Sequence, residues 1–129
     1  MAYGWHMVLD EARAEAVAAL CEAIVPGSGR VRPEVYVDAL IARMPDAERA
    51  AALAAVDAVA PAVAAGGDGL AGVAGTPEFL LVRALAIEAF YSDFVAPGVE
   101  AQGAWAEIDF NSPLARRVQK DWSYLGVKA

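Results

Sequence analysis

Thr76-Pro77-Glu78-Phe79-Leu80-Leu81-Val82-Arg83-Ala84-Leu85-Ala86-Ile87-Glu88-Ala89-Phe90-Tyr91 sets the architecture of this chain. Thr76 followed by Pro77 is a helix start: the hydroxyl can accept a backbone N–H of the first turn, and proline suits the first helical position. The run that follows is charged only at Glu78, Arg83 and Glu88. A helix apolar on nearly every side is expected at the centre of a fold, packed by other helices.

Upstream, the pattern supplies helices to surround it. Asp10 is a candidate cap, with Glu11 in the first turn. Val17, Leu20 and Ile24 then recur at helical spacing, with Ala14 and Cys21 on or near that face, until Pro26 and Gly27 end the helix. Gly27, Ser28 and Gly29 read as a turn. Pro33 suits the start of a second helix, with Tyr36, Leu40 and Met44 on one stripe beside Val37 and Ile41, and with Glu34 and Asp38 on the wet side. Pro45 ends it. Asp46 can cap a third, alanine-rich helix over 46–64 whose core-facing residues are Leu53, Val56 and Val63; Pro61 should kink or terminate it. The glycine run from Gly66 to Gly75 reads as a flexible loop. It does not read as a phosphate cradle, because no strand precedes it and no Gly-Lys-Ser/Thr follows. Residues 1–9, with Trp5, His6 and Met7, read as an arm.

Downstream, periodicity is lost from Asp93 to Asn111. A stretch this long without regular structure is unusual in a compact domain and is often functional. Phe94, Trp105 and Phe110 punctuate it. Ser112 and Pro113 repeat the cap-and-proline start, opening a short helix through about Trp122 within a tail over 113–129. The expected fold is all-α: a single small bundle of four to five helices with a long irregular, aromatic-containing loop over 94–111.

Composition narrows the function. The chain is 58% apolar, which suits a packed core and not a disordered body. A net charge of -7 argues against nucleic-acid binding, which needs clustered Lys and Arg. The exception is the tail, where Arg116, Arg117, Lys120 and Lys128 face Asp121 alone; this could steer a partner or simply favour a helix C-terminus. The longest strongly apolar stretch, 79–85, is far short of a membrane span. One cysteine, Cys21, and no visible signal peptide make a cytoplasmic location the expectation.

Catalytic material is sparse. His6 is the single histidine and lies near the terminus, while Cys21 falls by an apolar helix face and reads as a small buried hydrophobe. One His and one Cys cannot build a nitrogen/sulfur zinc site. Asp46, Glu48 and Asp57 are spread along an exposed helix face. Glu88 and Tyr91 can share a face and could act as an acid–base pair in a pocket. The structural alternative is that Glu88 pairs with Arg83 or a tail arginine and Tyr91 packs at the helix end. No catalytic, cofactor-binding or metal-binding residue is assigned to this chain.

Two patches carry a family resemblance. The first is Leu20-Cys21-Glu22-Ala23-Ile24-Val25-Pro26-Gly27, a helix ending in an Ile-Val-Pro step. The second is Ile87-Glu88-Ala89-Phe90-Tyr91-Ser92-Asp93, followed after a loop by Trp105-Ala106-Glu107-Ile108-Asp109-Phe110. Together they resemble the gluconate 2-dehydrogenase subunit 3 family over about residues 10–110. Phe94 stands where that family often has Pro, and Asp109 where it often has Gly. The resemblance implies a small accessory subunit that supports the folding or stability of a large flavoprotein oxidoreductase subunit of the glucose-methanol-choline type. FAD is expected in the partner and no cofactor in this chain. Phe94, Trp105, Phe110, Trp122 and Tyr124 are the expected partner-binding anchors, since aromatic residues dominate interface energetics, with Arg116 and Arg117 meeting acidic groups. Two other readings stand beside it: a module binding an apolar small molecule between Phe90, Tyr91 and Trp105, and an enzyme using Glu88 with Tyr91 or Asp93.

Overall fold

A computed structural model describes residues 6–110. These form an all-α bundle, with no strand among the described residues. Five helices follow in order: α1 (Glu11–Ile24), α2 (Pro33–Ala42), α3 (Asp46–Ala64), α4 (Pro77–Tyr91) and the short α5 (Ala104–Glu107). Tail residues Arg116, Arg117, Trp122 and Tyr124, and the helix expected after Pro113, lie outside the described residues.

Local chemistry starts three of the helices as anticipated. The Asp10 carboxylate accepts the Arg13 N–H at 2.8 Å, and the Thr76 hydroxyl accepts that of Phe79 at 3.2 Å. Pro33 and Pro77 open α2 and α4. Asp46 departs from expectation: Pro45 occupies the cap and Asp46 is the first helical residue. The useful group here is Arg49, which reaches back to donate to the carbonyls of Ala42 (2.9 Å) and Met44 (3.0 Å), satisfying the frayed end of α2. Nor does Pro61 stop α3, which runs on to Ala64. Proline near a C-terminal end costs one backbone bond and leaves only one further turn to support. The glycine run is not wholly loop: Gly69–Gly72 forms a 3-10 turn, and Leu70 and Val73 pack against the core.

The main core draws one buried face from each long helix: Ala14, Val17, Leu20 and Cys21 of α1, Val37 and Ile41 of α2, Ala52, Ala55, Val56 and Val59 of α3, and Val82, Leu85, Ala86 and Ala89 of α4. Each buried Leu, Ile or Val contributes about 1.5–3 kcal/mol of transfer free energy, while the alanines let the helices approach closely. Tyr36, Leu40 and Met44 are only half-buried at its margin.

Glu34 and Asp38 overturn the expectation of a wet face. Each is only 4% exposed. The Asp38 carboxylate accepts three consecutive backbone N–H groups of the N-terminal arm, from Met7 (2.7 Å), Val8 (2.9 Å) and Leu9 (2.9 Å). Glu34 is held by the Arg32 guanidinium at 2.7 Å. A buried carboxylate is tolerated where it is paired or well hydrogen-bonded: Glu34 has the ion pair and Asp38 the three backbone donors.

The expectation for α4, a central helix packed by the other helices, holds in part. It contacts α1, α2 and α3, but it is buried on one face only. Leu80 and Tyr91 on the other side are 52% and 57% exposed.

Candidate partner-binding corner

A second, smaller cluster forms at one end of the bundle. Val25, Val31, Phe90 and Ala104 are buried there, with Ile24, Ile87, Val95, Ala101 and Trp105 packed against them. Its members come from the end of α1, the 3-10 turn Ser28–Val31, the end of α4, and the segment containing α5. The two sequence patches thus meet in space.

The segment after α4 is tied down at several points, which explains why loss of periodicity did not mean loss of order. Asp93 adopts a left-handed backbone (φ 64°), a conformation Asp tolerates better than most residues. Its carboxylate accepts the backbone N–H of Trp105 at 3.1 Å, and so anchors the start of α5. Gly103 makes this approach possible, since a Cβ there would collide with the Asp93 carboxylate. The Trp105 indole N–H donates to the Tyr91 carbonyl at 3.3 Å. The Ala96 N–H donates to the Val31 carbonyl at 3.0 Å.

Arg30 closes the corner from the other side. Its guanidinium donates to the carbonyls of Gln102 (2.9 Å) and Gly27 (2.8 Å), pairs with Glu107, and lies 5.0 Å from the centre of the Phe90 ring. Glu22 holds the adjoining turn by accepting the N–H groups of Gly27 (3.0 Å) and Gly29 (2.8 Å). These bonds, first Gly29 and then Gly27, lower its pKa.

The expected anchors divide. The Phe94 ring is half-buried, edge-on to Tyr36 at 5.2 Å. Trp105 is half-buried and stacks edge-on with Phe110 at 4.9 Å, leaving Phe110 49% exposed. Sequence reasoning missed two exposed residues here. Ile108, 73% exposed, sits in the Trp105–Phe110 patch without an aromatic signal of its own; Tyr91 packs edge-on to Phe90 at 5.2 Å at the helix end, as the structural alternative has it, yet stays 57% exposed. Phe110 thus meets the Trp105 ring, Tyr91 meets its indole N–H through the backbone carbonyl, and Tyr91, Ile108 and Phe110 all expose apolar surface.

The polar candidates fall elsewhere. Glu88 pairs with neither Arg83 nor Tyr91: its carboxylate accepts the Tyr36 hydroxyl at 2.9 Å. That bond, ahead of burial, raises the Tyr36 pKa. Cys21 is buried, and desolvation, reinforced by Glu34, pushes its thiol up to about 12, which makes it a poor nucleophile. No group of three or more His, Cys, Asp or Glu among the described residues could hold a metal ion. Phe90 is 2% exposed and packed under Arg30. One hollow of about 320 Å³ lies beside His6, Glu11, Glu15, Arg32 and Glu34, and a wider groove runs between α1 and α3 past Arg13 and Asp57. No described helix is long and apolar enough to cross a membrane.

Comparison with known proteins returns no matching family model, curated protein or solved structure.

Proposed function

We propose that this chain is a non-catalytic small subunit that binds and stabilises a large FAD-dependent alcohol or sugar oxidoreductase of the glucose-methanol-choline type, in the cytoplasm. The reading rests on the resemblance carried by residues 20–27, 87–93 and 105–110. The observation that supports it is their convergence: they share one hydrophobic cluster, and Asp93 is hydrogen-bonded to Trp105 across the intervening loop. The same segments leave Tyr91, Ile108 and Phe110 exposed, large apolar and aromatic side chains of the kind enriched in an interface core. In this reading the partner covers the corner and holds the FAD. Arg116 and Arg117 meet its acidic groups, and Trp122 and Tyr124 add anchors beyond Phe110.

Co-expression with a flavoprotein oxidoreductase encoded beside this chain tests the proposal. The soluble, flavin-loaded yield of the large subunit should rise with the small chain present. Ile108→Asp and Phe110→Ala should each weaken co-purification by roughly tenfold or more while leaving the helical signal of the isolated chain unchanged. Trp105→Ala should do the same with some loss of local order, because its indole also ties α5 to Tyr91. A large subunit equally soluble, flavinated and active alone would overturn the proposal.

A further inference from the structure

Leu80, Ala84, Ile87 and Tyr91 run along the outer face of α4 at steps of four, three and four residues. Leu80, Ala84 and Tyr91 are exposed, and Ile87 is half-buried with one side packed against the small cluster, while α4 buries Val82, Leu85, Ala86, Ala89 and Phe90 away from this strip. Alternating steps of four and three are the spacing of a coiled-coil seam, with Leu80 and Ile87 at d positions and Ala84 and Tyr91 at a positions. Arg83 then falls at g and Glu88 at the following e.

Those two charges cannot satisfy each other within one helix, since a separation of five residues puts them on opposite flanks of the strip. Arg83 is exposed and has no ion-pair partner among the described residues. Glu88 is steered by the Tyr36 hydroxyl on one of its oxygens. A g residue and the e residue five positions later are the pair that face each other across a parallel two-stranded seam.

We propose that α4 is the seam of a parallel, two-fold symmetric homodimer. Leu80, Ala84, Ile87 and Tyr91 each meet their own counterpart, and Arg83 pairs with Glu88 of the partner subunit. A second copy is the occupant because the strip complements itself. One two-fold axis stacks every apolar layer and neutralises both charged rows, giving two ion pairs from one pair of residue positions. An antiparallel arrangement would set g beside g, bringing Arg83 towards its own copy. The small Ala84 layer lets the helices approach. The seam spans only about 16 Å of helix, so association is reversible and concentration-dependent. It shares Tyr91 with the flavoprotein corner, so the two contacts compete at that residue, whereas Leu80, Arg83 and Ala84, at the end of α4 remote from α5, belong to the seam alone.

Sedimentation equilibrium of the full chain from micromolar to millimolar concentration, with circular dichroism to verify folding, reads the proposal. A monomer–dimer equilibrium is expected. Leu80→Lys should weaken it at least about tenfold. Arg83→Glu should weaken it roughly tenfold at low salt, and Arg83→Glu with Glu88→Arg in the same chain should recover much of that loss. Ala84→Cys should cross-link to its own copy with oxidised glutathione faster than Ala58→Cys on exposed α3; the native Cys21, 2% exposed, does not compete. A chain monomeric throughout, with Ala84→Cys no faster than the control, would overturn the proposal. So would a dimer indifferent to Arg83→Glu, or one broken by Phe110→Ala and not by Leu80→Lys.

Discussion

Asp38 shows how one side chain can organise a terminus. Three successive N–H groups converge on its carboxylate, which is nearly removed from solvent. Removing the carboxylate leaves those donors without their acceptor, and an unmade buried hydrogen bond costs more than a made one contributes. Asp38→Ala should therefore destabilise the fold by about 3 kcal/mol or more. Amide exchange at Met7, Val8 and Leu9 should rise ahead of the rest of the chain as the arm lifts and Leu9, 4% exposed, leaves the core. Equal protection of those amides in the variant would show that the arm is held by its side chains instead. Helical periodicity puts Asp38 on the same α2 stripe as Glu34, but it gives no sign that the arm will cover that stripe.

Among the elements, α5 has only four residues and cannot stand on its own nucleation energy. It exists because neighbours hold it: Asp93 at its start, Arg30 at Gln102 and Glu107, and Ala104 in the small cluster. Arg30→Ala should leave α1 to α4 intact but loosen 95–107. The expected readout is faster limited proteolysis within that segment, with a global loss of only about 1–2 kcal/mol, since the bonds lost are partly exposed. An unchanged cleavage rate would mean that Arg30 merely rests on the segment. The same dependence explains the irregular look of 94–111 in the sequence. Its partners are side chains far away along the chain, and no local pattern encodes them. By contrast, α1 and α4 were legible because their caps and apolar spacing lie within the helix or one residue before it.

Across the molecule, acid stability should reflect carboxylates held charged by the fold. Glu22 is lowered by the N–H groups of Gly29 and Gly27, and Asp57 by its hydrogen bond from Arg13. A depressed carboxylate contributes stability that is present above its unfolded value, near 4 for Asp and Glu, and lost as pH falls through its folded value. The urea midpoint should accordingly be flat from neutrality down to about pH 4.5 and decline below it. Glu22→Gln with Asp57→Asn should lower the neutral plateau modestly, both sites being largely exposed, and make the acid decline shallower. A decline as steep as that of the unsubstituted chain would show that these two carboxylates do not set the acid transition.

By itself the sequence determined the helical class, the starts of α1, α2 and α4, the burial of Cys21, and the residues of the two patches. These follow from caps, proline positions and apolar spacing, interactions that reach no farther than about one helical turn. Only the tertiary structure decided which polar residues are buried, which face of the uniformly apolar α4 meets water, and that residues 20–27, 87–93 and 105–110 form one corner. An apolar helix face looks the same in sequence whether a neighbour covers it or not. A carboxylate on a core stripe can be buried only if the fold brings donors to it, and for Asp38 those donors come from the arm some thirty positions earlier.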